Sequence, residues 1–344
     1  NFILATKGSG DFVVLTNSGY PFVVGGAASV VNYVRVIGGA TGTAPLIQSL
    51  GSDTNIPLVL QPKGTGALQA QQTDSTATGG NARGANAVDW QTARANAGNV
   101  ASAGYSVVAG GQTNTASGLY AVVGGGGVNS ATNTYSAVCS GLGNTSNNLV
   151  AIVAGGQANT ASGYLSFVGG GISNTAGSRD VATVAGGQAN TAAGYHNFIG
   201  GGFTNSGTSG SAVTTQSGTM NGTTAVTLSG SNASIKVGQL ITGTSINTSP
   251  YTYVAAISGT SLTLSQVASG SSTSTLSFYT PHGIVVGGGN NTATGSYSFI
   301  GGGGDAGTAG NRNVASGAWA SVVGGMKNSA SQEASFVGGG YGNT

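Results

Sequence analysis

Seven carboxyl groups are scattered along this chain, and a close pair of carboxylates is the usual machinery for cleaving a glycosidic bond. They belong to Asp11, Asp53, Asp74, Asp89, Asp180, Asp305 and Glu333. None is adjacent to another in sequence, and no two occupy equivalent positions of the repeats described below. Asp180 follows Arg179, which predicts a local ion pair on a surface bulge. The sequence therefore predicts no catalytic residues and no enzymatic activity.

The residues that most often bind metals are also few and isolated. His196 and His282 have no Asp, Glu or Cys neighbour at the spacing of a metal site, which predicts solvated histidines in turns. Cys139 is the only cysteine, so no disulfide within the chain is possible. Its place among small residues predicts a small buried apolar side chain. We therefore expect no metal and no cofactor.

Three tyrosines recur at a constant interval. Tyr105, Tyr120 and Tyr135 are 15 residues apart, and side chains at equivalent positions of neighbouring strands stack about 4.8 Å apart. The favoured interpretation is a structural aromatic ladder, and the other is a strip on which sugars stack. Asp305 and Arg312, in a polar loop at 304–312, are the remaining candidate glycan contacts.

The element that positions these residues is a repeat built on two consecutive apolar residues. From Val108 to Ile199 the steps between successive pairs are 15, 15, 15, 15, 16 and 15 residues. Such a period predicts an all-β solenoid: a narrow parallel β-roll with coils of 14–16 residues. The predicted core pairs are Val107-Val108, Val122-Val123, Ile152-Val153, Phe167-Val168, Phe198-Ile199, Val285-Val286, Phe299-Ile300, Val322-Val323 and Phe336-Val337.

Each repeat also predicts how its coil turns and how it assembles. A glycine run follows each pair and permits a tight corner with positive φ. An Asn-Thr-Ala segment then predicts hydrogen bonds from coil to coil. Neighbouring strand residues point to opposite faces, so a pair that is apolar on both sides has one face outside the roll. Another copy of the chain would cover that face, and we expect a cyclic homotrimer.

Interruptions of the period divide the chain into five segments. Residues 1–80 form a β-rich N-terminal region, and 81–103 form a transition in which Trp90 plugs the end of the roll. The repeats occupy 104–206 and resume at 283–344. Between them, 207–282 alternate polar and apolar residues, which predicts a small inserted antiparallel β domain. This insertion and the 304–312 loop project from turns and are the expected sites of recognition.

The composition excludes several classes of protein. The 344 residues include 65 Gly without a three-residue period, which excludes collagen. Only 5% are charged while 39% are hydrophobic, which differs from a typical disordered chain. The net charge is +2 and the chain has no basic cluster, so we expect no nucleic-acid partner. The apolar stretches are too short to cross a bilayer.

The repeat, Ser-x-Val-x-Gly-Gly followed by Asn-Thr-Ala-Ser-Gly, resembles the head repeats of YadA-type trimeric autotransporter adhesins and similar repeats in bacteriophage tail fibres. Three upstream stretches, 32–42, 51–66 and 83–94, resemble tail-fibre modules and favour the phage family. Together these features cover about three-quarters of the chain. The insertion lies outside the resemblance.

The resemblance implies a homotrimeric, left-handed β-roll shaft in a virion, with receptor-binding elements attached to it. The implied partners are other tail or baseplate proteins and a host receptor, with a glycan favoured. The alternative is a bacterial surface adhesin, located on the cell surface, and a polysaccharide-cleaving tailspike is a third reading. The sequence ends in mid-repeat at Thr344, so we expect it to be a segment of a longer fibre.

Overall fold

The computed structural model describes residues 12–16, 19–24, 31–177 and 179–344. The chain divides into two compact units, Asn1–Gln61 and Pro62–Thr344. In the first unit two antiparallel hairpins are formed, Phe12–Thr16 with Gly19–Val24 and Asn32–Ile37 with Leu46–Gly51.

The second unit is a β-solenoid, as the period predicts. Its main sheet has 13 parallel strands. Their bounds are Leu68–Gln69, Val88–Asp89, Val107–Val108, Val122–Val123, Ala137–Val138, Ile152–Val153, Phe167–Val168, Thr183–Val184, Phe198–Ile199, Ile284–Val285, Phe299–Ile300, Ser321–Val322 and Phe336–Val337. Successive strands pair in register, with Val108 opposite Val123.

A second parallel sheet forms the other wall of the roll. It has one run of six strands before the insertion and one of three strands after it. Their bounds are Thr115–Ala116, Ser130–Ala131, Thr145–Ser146, Thr160–Ala161, Thr175–Ala176, Thr191–Ala192, Thr292–Ala293, Val314–Ala315 and Ser329–Ala330. In the described part of the chain, the single helical segment is the short 3-10 helix Ala309–Asn311.

The roll begins earlier than the sequence predicts. Leu68–Gln69 and Val88–Asp89 already belong to the main sheet, so the predicted boundary at residue 80 and the transition at 81–103 both fall within the solenoid. The sequence pattern does not reveal these two coils, because Gln69 and Asp89 occupy the inward position that valine occupies in later coils. Trp90 does not plug the roll, since 44% of its surface is exposed.

In each two-residue strand of the main sheet, the second residue points into the core. Val108, Val123, Val153 and Val168 are fully buried, whereas the first residues are partly exposed. Two predicted pairs are displaced by one residue, because the strands there are Ile284–Val285 and Ser321–Val322. Val285 and Val322 are therefore the buried members, and Val286 and Val323 are each 48% exposed.

The core is narrow enough to accept only small residues opposite each valine. The second sheet contributes one small buried residue per coil, which is an alanine such as Ala116, Ala161 or Ala176 in most coils and Ser146 in one. Cys139 follows buried Val138 and is exposed, so its predicted burial is wrong. The reason is the alternation of strand side chains, which turns the residue after an inward valine outward.

A ladder of buried asparagines joins the coils through the solenoid. The backbone N–H of Asn159 donates to Oδ1 of Asn144, and Oδ1 of Asn159 accepts from Asn174 N–H, each at 2.9 Å. The same bond recurs through Asn114, Asn129, Asn144, Asn159, Asn174, Asn190, Asn205, Asn291, Asn313, Asn328 and Asn343. This confirms the predicted bonding between coils, with asparagine rather than threonine as the main contributor.

The insertion folds into a closed six-stranded antiparallel barrel. Its strands are Thr214–Asn221, Ala225–Leu228, Leu240–Thr242, Thr252–Ser258, Ser261–Leu264 and Ser271–Tyr279. Apolar side chains that include Met220, Leu262 and Phe278 fill its core. The prediction of a small antiparallel β domain is confirmed.

One buried side chain holds the two ends of the insertion together. Asn197 occupies a position that serine fills in other coils, as Ser166 does. Its Oδ1 accepts hydrogen bonds from Thr208 Oγ1 at 2.7 Å and from Gly283 N–H at 3.0 Å, and its Nδ2 donates to Thr208 O at 3.0 Å. The barrel therefore leaves the roll and returns to it at a single point.

Candidate recognition surfaces

The predicted tyrosine ladder is present. Ring centroids of Tyr105 and Tyr120 lie 5.0 Å apart, and those of Tyr120 and Tyr135 lie 5.1 Å apart, with rings within 15° of parallel. The three side chains are 40–54% exposed. Because each ring covers a face of its neighbour, the ladder presents mainly ring edges to solvent. Sugars stack on ring faces, so this geometry supports the structural interpretation.

A second aromatic ladder runs past the junction between the barrel and the roll. It consists of His196, His282, Tyr297 and Trp319, with successive ring centroids 4.7, 4.6 and 5.7 Å apart. Like Tyr105, each of these residues has a positive φ. All lie two residues before a strand of the main sheet, which is the signal that sequence reasoning missed.

The two histidines of this ladder are half-buried, so the prediction of solvated turn histidines is wrong. Burial lowers the pKa of His196 and lowers that of His282 to about 4. His282 Nε2 lies 3.4 Å from the hydroxyl of Tyr253, whose pKa burial raises to about 12. With pKa values lowered from 6.5, both imidazoles are neutral near pH 7.

Arg179 and Asp180 do not form the predicted ion pair with each other. The guanidinium of Arg179 lies over the ring of Tyr279, 4.7 Å from its centroid. The carboxylate of Asp180 instead accepts a hydrogen bond from the hydroxyl of Tyr251. Both contacts join the roll to the barrel, since Tyr251 and Tyr279 belong to the insertion. These two residues therefore fix the barrel in place.

Asp89 forms buried salt bridges with two arginines. Its Oδ2 lies 2.8 Å from Arg83 Nε and 3.1 Å from Arg94 Nη2, and the three charged groups are buried. This arrangement closes an early coil of the roll with an ion cluster and makes the carboxylate inaccessible. Asp11 lies outside the described residues.

The projecting loop at 304–312 is organised by its own aspartate. Asp305 accepts hydrogen bonds from Gly307 N–H at 2.8 Å and from Asn311 Nδ2 at 3.1 Å. The Asn311 bond is the largest of the causes that hold the pKa of Asp305 below its usual value. Arg312 is exposed. The loop thus has a defined shape and an available guanidinium, while the carboxylate is used internally.

The described ranges contain neither a cluster of metal-binding side chains nor a membrane-spanning helix. Among these residues no group of three or more His, Cys, Asp or Glu side chains is placed to hold a metal ion. No helix within the same ranges has the length and apolarity to cross a membrane.

No protein-family model matches the chain, and no curated protein matches it.

Proposed function

We propose that this chain is a segment of a bacteriophage tail fibre, in which three copies form a left-handed β-roll shaft that presents host-receptor-binding elements. The observation that carries the proposal is the outward face of the main sheet. Phe167, Phe198 and Phe336 are 38, 39 and 69% exposed in the single chain, as is Val122 at 39%. A largely apolar stripe of this kind, interrupted by Thr183 and Ser321, marks an interface.

The remaining features fit a shaft with projections. Short coils bonded through backbone and asparagine groups give a rod whose length grows with the number of repeats. The barrel and the 304–312 loop interrupt the rod and are free to vary without disturbing the stack. The proposal places the protein in the virion, bound to other tail or baseplate proteins, with no catalytic role for this segment.

Light scattering and cell binding test the proposal together. The purified chain should have about three times the 32.9 kDa mass of one copy and should label a subset of bacterial strains in a panel. A monomer would contradict the shaft, and failure to bind any strain would contradict the receptor-binding role.

The runner-up function is a trimeric adhesin on a bacterial surface, which the same repeat supports. The full-length gene separates the two: a C-terminal membrane anchor indicates the adhesin, and an N-terminal baseplate-attachment domain indicates the phage fibre. Release of oligosaccharide from host polysaccharide by the purified chain would instead support a polysaccharide-cleaving tailspike.

A further inference from the structure

The two histidines of the chain meet at the junction between the barrel and the roll. His196 and His282 are the only histidines in the sequence and are separated by the whole barrel, yet their ring centroids lie 4.7 Å apart at an interplanar angle of 13°. Imidazole is the side chain whose ordinary pKa lies closest to neutral pH. Both groups that titrate most readily near neutrality are therefore placed at one contact between two parts of the fold.

Aromatic side chains of both parts enclose the histidine pair. From the barrel, the ring of Tyr251 meets that of His196 edge-on at 5.3 Å, and the hydroxyl of Tyr253 lies 3.4 Å from Nε2 of His282. From the roll, Tyr297 stacks on His282 with ring centroids 4.6 Å apart. The barrel and the roll thus hold the imidazoles between them, and separating the two parts would return both rings to water.

The closed junction does not accommodate the protons of a charged pair. Nδ1 of His196 is buried and has no hydrogen-bond partner among the described residues. An imidazolium carries an N–H on each ring nitrogen, so protonation would leave a buried donor unpaired there. Two charged rings would also place like charges 4.7 Å apart. The geometry therefore favours neutral rings, in agreement with the lowered pKa values of both histidines.

One carboxylate lies near the pair, and it offsets only part of the cost of protonation. Asp180 raises the pKa of His196, but the lowering effect of burial is larger. Arg179 lies over the ring of Tyr279 and adds a positive charge to the same junction. Among the described residues no carboxylate is hydrogen-bonded to His282, and the neighbouring His196 lowers its pKa further. A proton on His282 therefore has no counterion in the closed junction.

The parts on either side of the junction carry few groups that respond to mild acid. Barrel residues 214–279 include one charged side chain, Lys236, and the barrel core is apolar. In the repeats at 104–206, the charged and histidine side chains are Arg179, Asp180 and His196, and all three are at the junction. Acid therefore acts on the contact between the barrel and the roll, and on neither core.

We infer that the junction is an acid-opened hinge, in which protonation of His196 and His282 releases the barrel from the roll while both parts stay folded. The barrel remains tethered through residues 207–213 and 280–283. The hinge is built within a single chain, so it depends neither on assembly with other copies nor on the nature of any receptor.

Proton linkage gives the expected size of the effect. Opening returns the pKa of His282 from about 4 to its ordinary value of about 6.5. Well above pH 6.5 neither state binds the proton, and as the pH falls towards 4 the open state binds it in preference. Because each pKa unit is a factor of ten in proton affinity, the equilibrium constant for opening should rise by about tenfold or more between pH 7 and pH 5. Opening also uncovers Tyr297 and Trp319, whose rings lie against Gly238 of the barrel.

Hydrogen exchange at single amides of the full chain tests the hinge. The backbone N–H groups of His282 and Gly283 each donate to a residue of the roll, at 2.9 and 3.0 Å, and lose these bonds when His282 leaves the stack. After correction for the intrinsic pH dependence of exchange, their protection should fall by about tenfold or more between pH 7 and pH 5. Protection of Leu262 in the barrel and of Val153 in the roll should not change.

Two double variants separate the histidines from other titrating groups. In His196→Asn with His282→Asn, the new side chains do not titrate and tolerate the positive φ at both positions, so protection at residues 282 and 283 should not depend on pH over this interval. Asp305→Asn with Glu333→Gln removes two carboxylates outside the junction and should keep the wild-type response. Imidazole NMR signals of the wild type should titrate below pH 6.

Four results would overturn the hinge. The first is protection of the His282 and Gly283 amides that stays constant between pH 7 and pH 5. The second is an equal fall in the variant that lacks both histidines. The third is titration of both imidazoles near their ordinary pKa of about 6.5. In the fourth, Leu262 loses protection together with His282, which would mean that acid unfolds the barrel instead of releasing it.

Discussion

At the scale of single residues, the roll depends on residues that contact both the preceding coil and the following coil. Asn159 is fully buried. Its backbone N–H donates to Asn144 Oδ1 in the preceding coil, and its Oδ1 accepts from Asn174 N–H in the next coil. The glycine three residues after the inward residue of each strand turns the corner with a positive φ, as Gly126 does at +81°. Each such residue is surrounded by backbone, so little relaxation is possible around a substitution.

Gly126→Ala should lower the free energy of unfolding by at least about 2 kcal/mol, because a non-glycine residue is strained at this φ. A Cβ at this position would also collide with the carbonyl oxygen of Gly141. Gly125→Ala is the control: a Cβ there has no atom within 4 Å, and the change should be within about 0.5 kcal/mol. Denaturation in guanidinium chloride measures both, and equal losses would contradict the argument.

Asn159→Asp tests the asparagine ladder. The amide Nδ2 donates to Gly155 O at 2.9 Å and to Gly171 O at 3.0 Å, and a carboxylate would set an acceptor against both oxygens. We expect a loss of about 3 kcal/mol or more near pH 7 from the buried, uncompensated charge. Gln157→Glu makes the same chemical change at an exposed site in that coil. Thermal melts that shift equally for the two variants would refute the ladder's role.

The residues that could be predicted from the sequence are those whose type repeats with the period. Tyr105 and Tyr120 were found because identical rings recur 15 residues apart. The second ladder was not, because its members are His196, His282, Tyr297 and Trp319 and the barrel separates the first two. What these residues share is a backbone position with positive φ, and this has no fixed side-chain signature.

At the scale of elements, the barrel is joined to the roll through a few side chains. Asn197 bonds to both ends of the insertion, and Asp180 and Arg179 contact Tyr251 and Tyr279. The sequence predicted the insertion because the glycine-run repeat gives way there to alternating polar and apolar residues. It could not predict this junction, because the partners are distant in the chain and none belongs to the repeat.

Asn197→Ser should loosen the barrel without unfolding the roll. Serine is the residue at this position in other coils, such as Ser166, so the coil itself tolerates it. The shorter side chain cannot bridge Thr208 and Gly283. Hydrogen exchange at 207–213 and 279–283 should therefore accelerate, while exchange at Val153 and Val168 stays slow. Unchanged exchange at the two ends of the insertion would show that Asn197 is dispensable.

The stacked histidines predict a pH dependence of this junction. Their pKa values are lowered in the folded protein, to about 4 for His282, from an ordinary value of about 6.5. Between these two pH values the unfolded chain binds more protons, so the stability contribution present above pH 6.5 is lost as the pH falls towards 4. Asp180 is the carboxylate near His196 that partly opposes this effect.

His282→Asn should flatten that dependence, since asparagine does not titrate and tolerates the positive φ of +62° at this position. The measurement is the melting temperature between pH 7.5 and 4.5 for the wild type and the variant. We expect the wild type to lose more stability over this interval. Parallel curves would mean that the pair does not govern acid sensitivity.

At the scale of the whole molecule, the outward residues of the main sheet connect the repeat to assembly. The inward residue of each strand is valine or isoleucine in most coils and is buried. The outward residue ranges from phenylalanine to Thr183 and Ser321, which are polar yet occupy regular strands. A single coil therefore folds with a polar residue at this position, so apolar outward residues are not needed for the roll itself.

Phe167→Ser with Phe198→Ser should consequently weaken the proposed trimer and leave the roll folded. Each side chain is nearly 40% exposed in the single chain. Full burial of an exposed phenylalanine contributes about 1.5–3 kcal/mol, so covering the part that is still exposed contributes roughly 1 kcal/mol per side chain. With both changes made in all three copies, light scattering at micromolar concentration should show a lower mass than for the wild type, with an unchanged circular dichroism spectrum. Leu142→Ser, at an exposed apolar residue outside the main sheet, is the control and should keep the trimer. A double variant that keeps the wild-type mass would show that the stripe is not the interface, and the apolar pair would then be explained by coil folding alone.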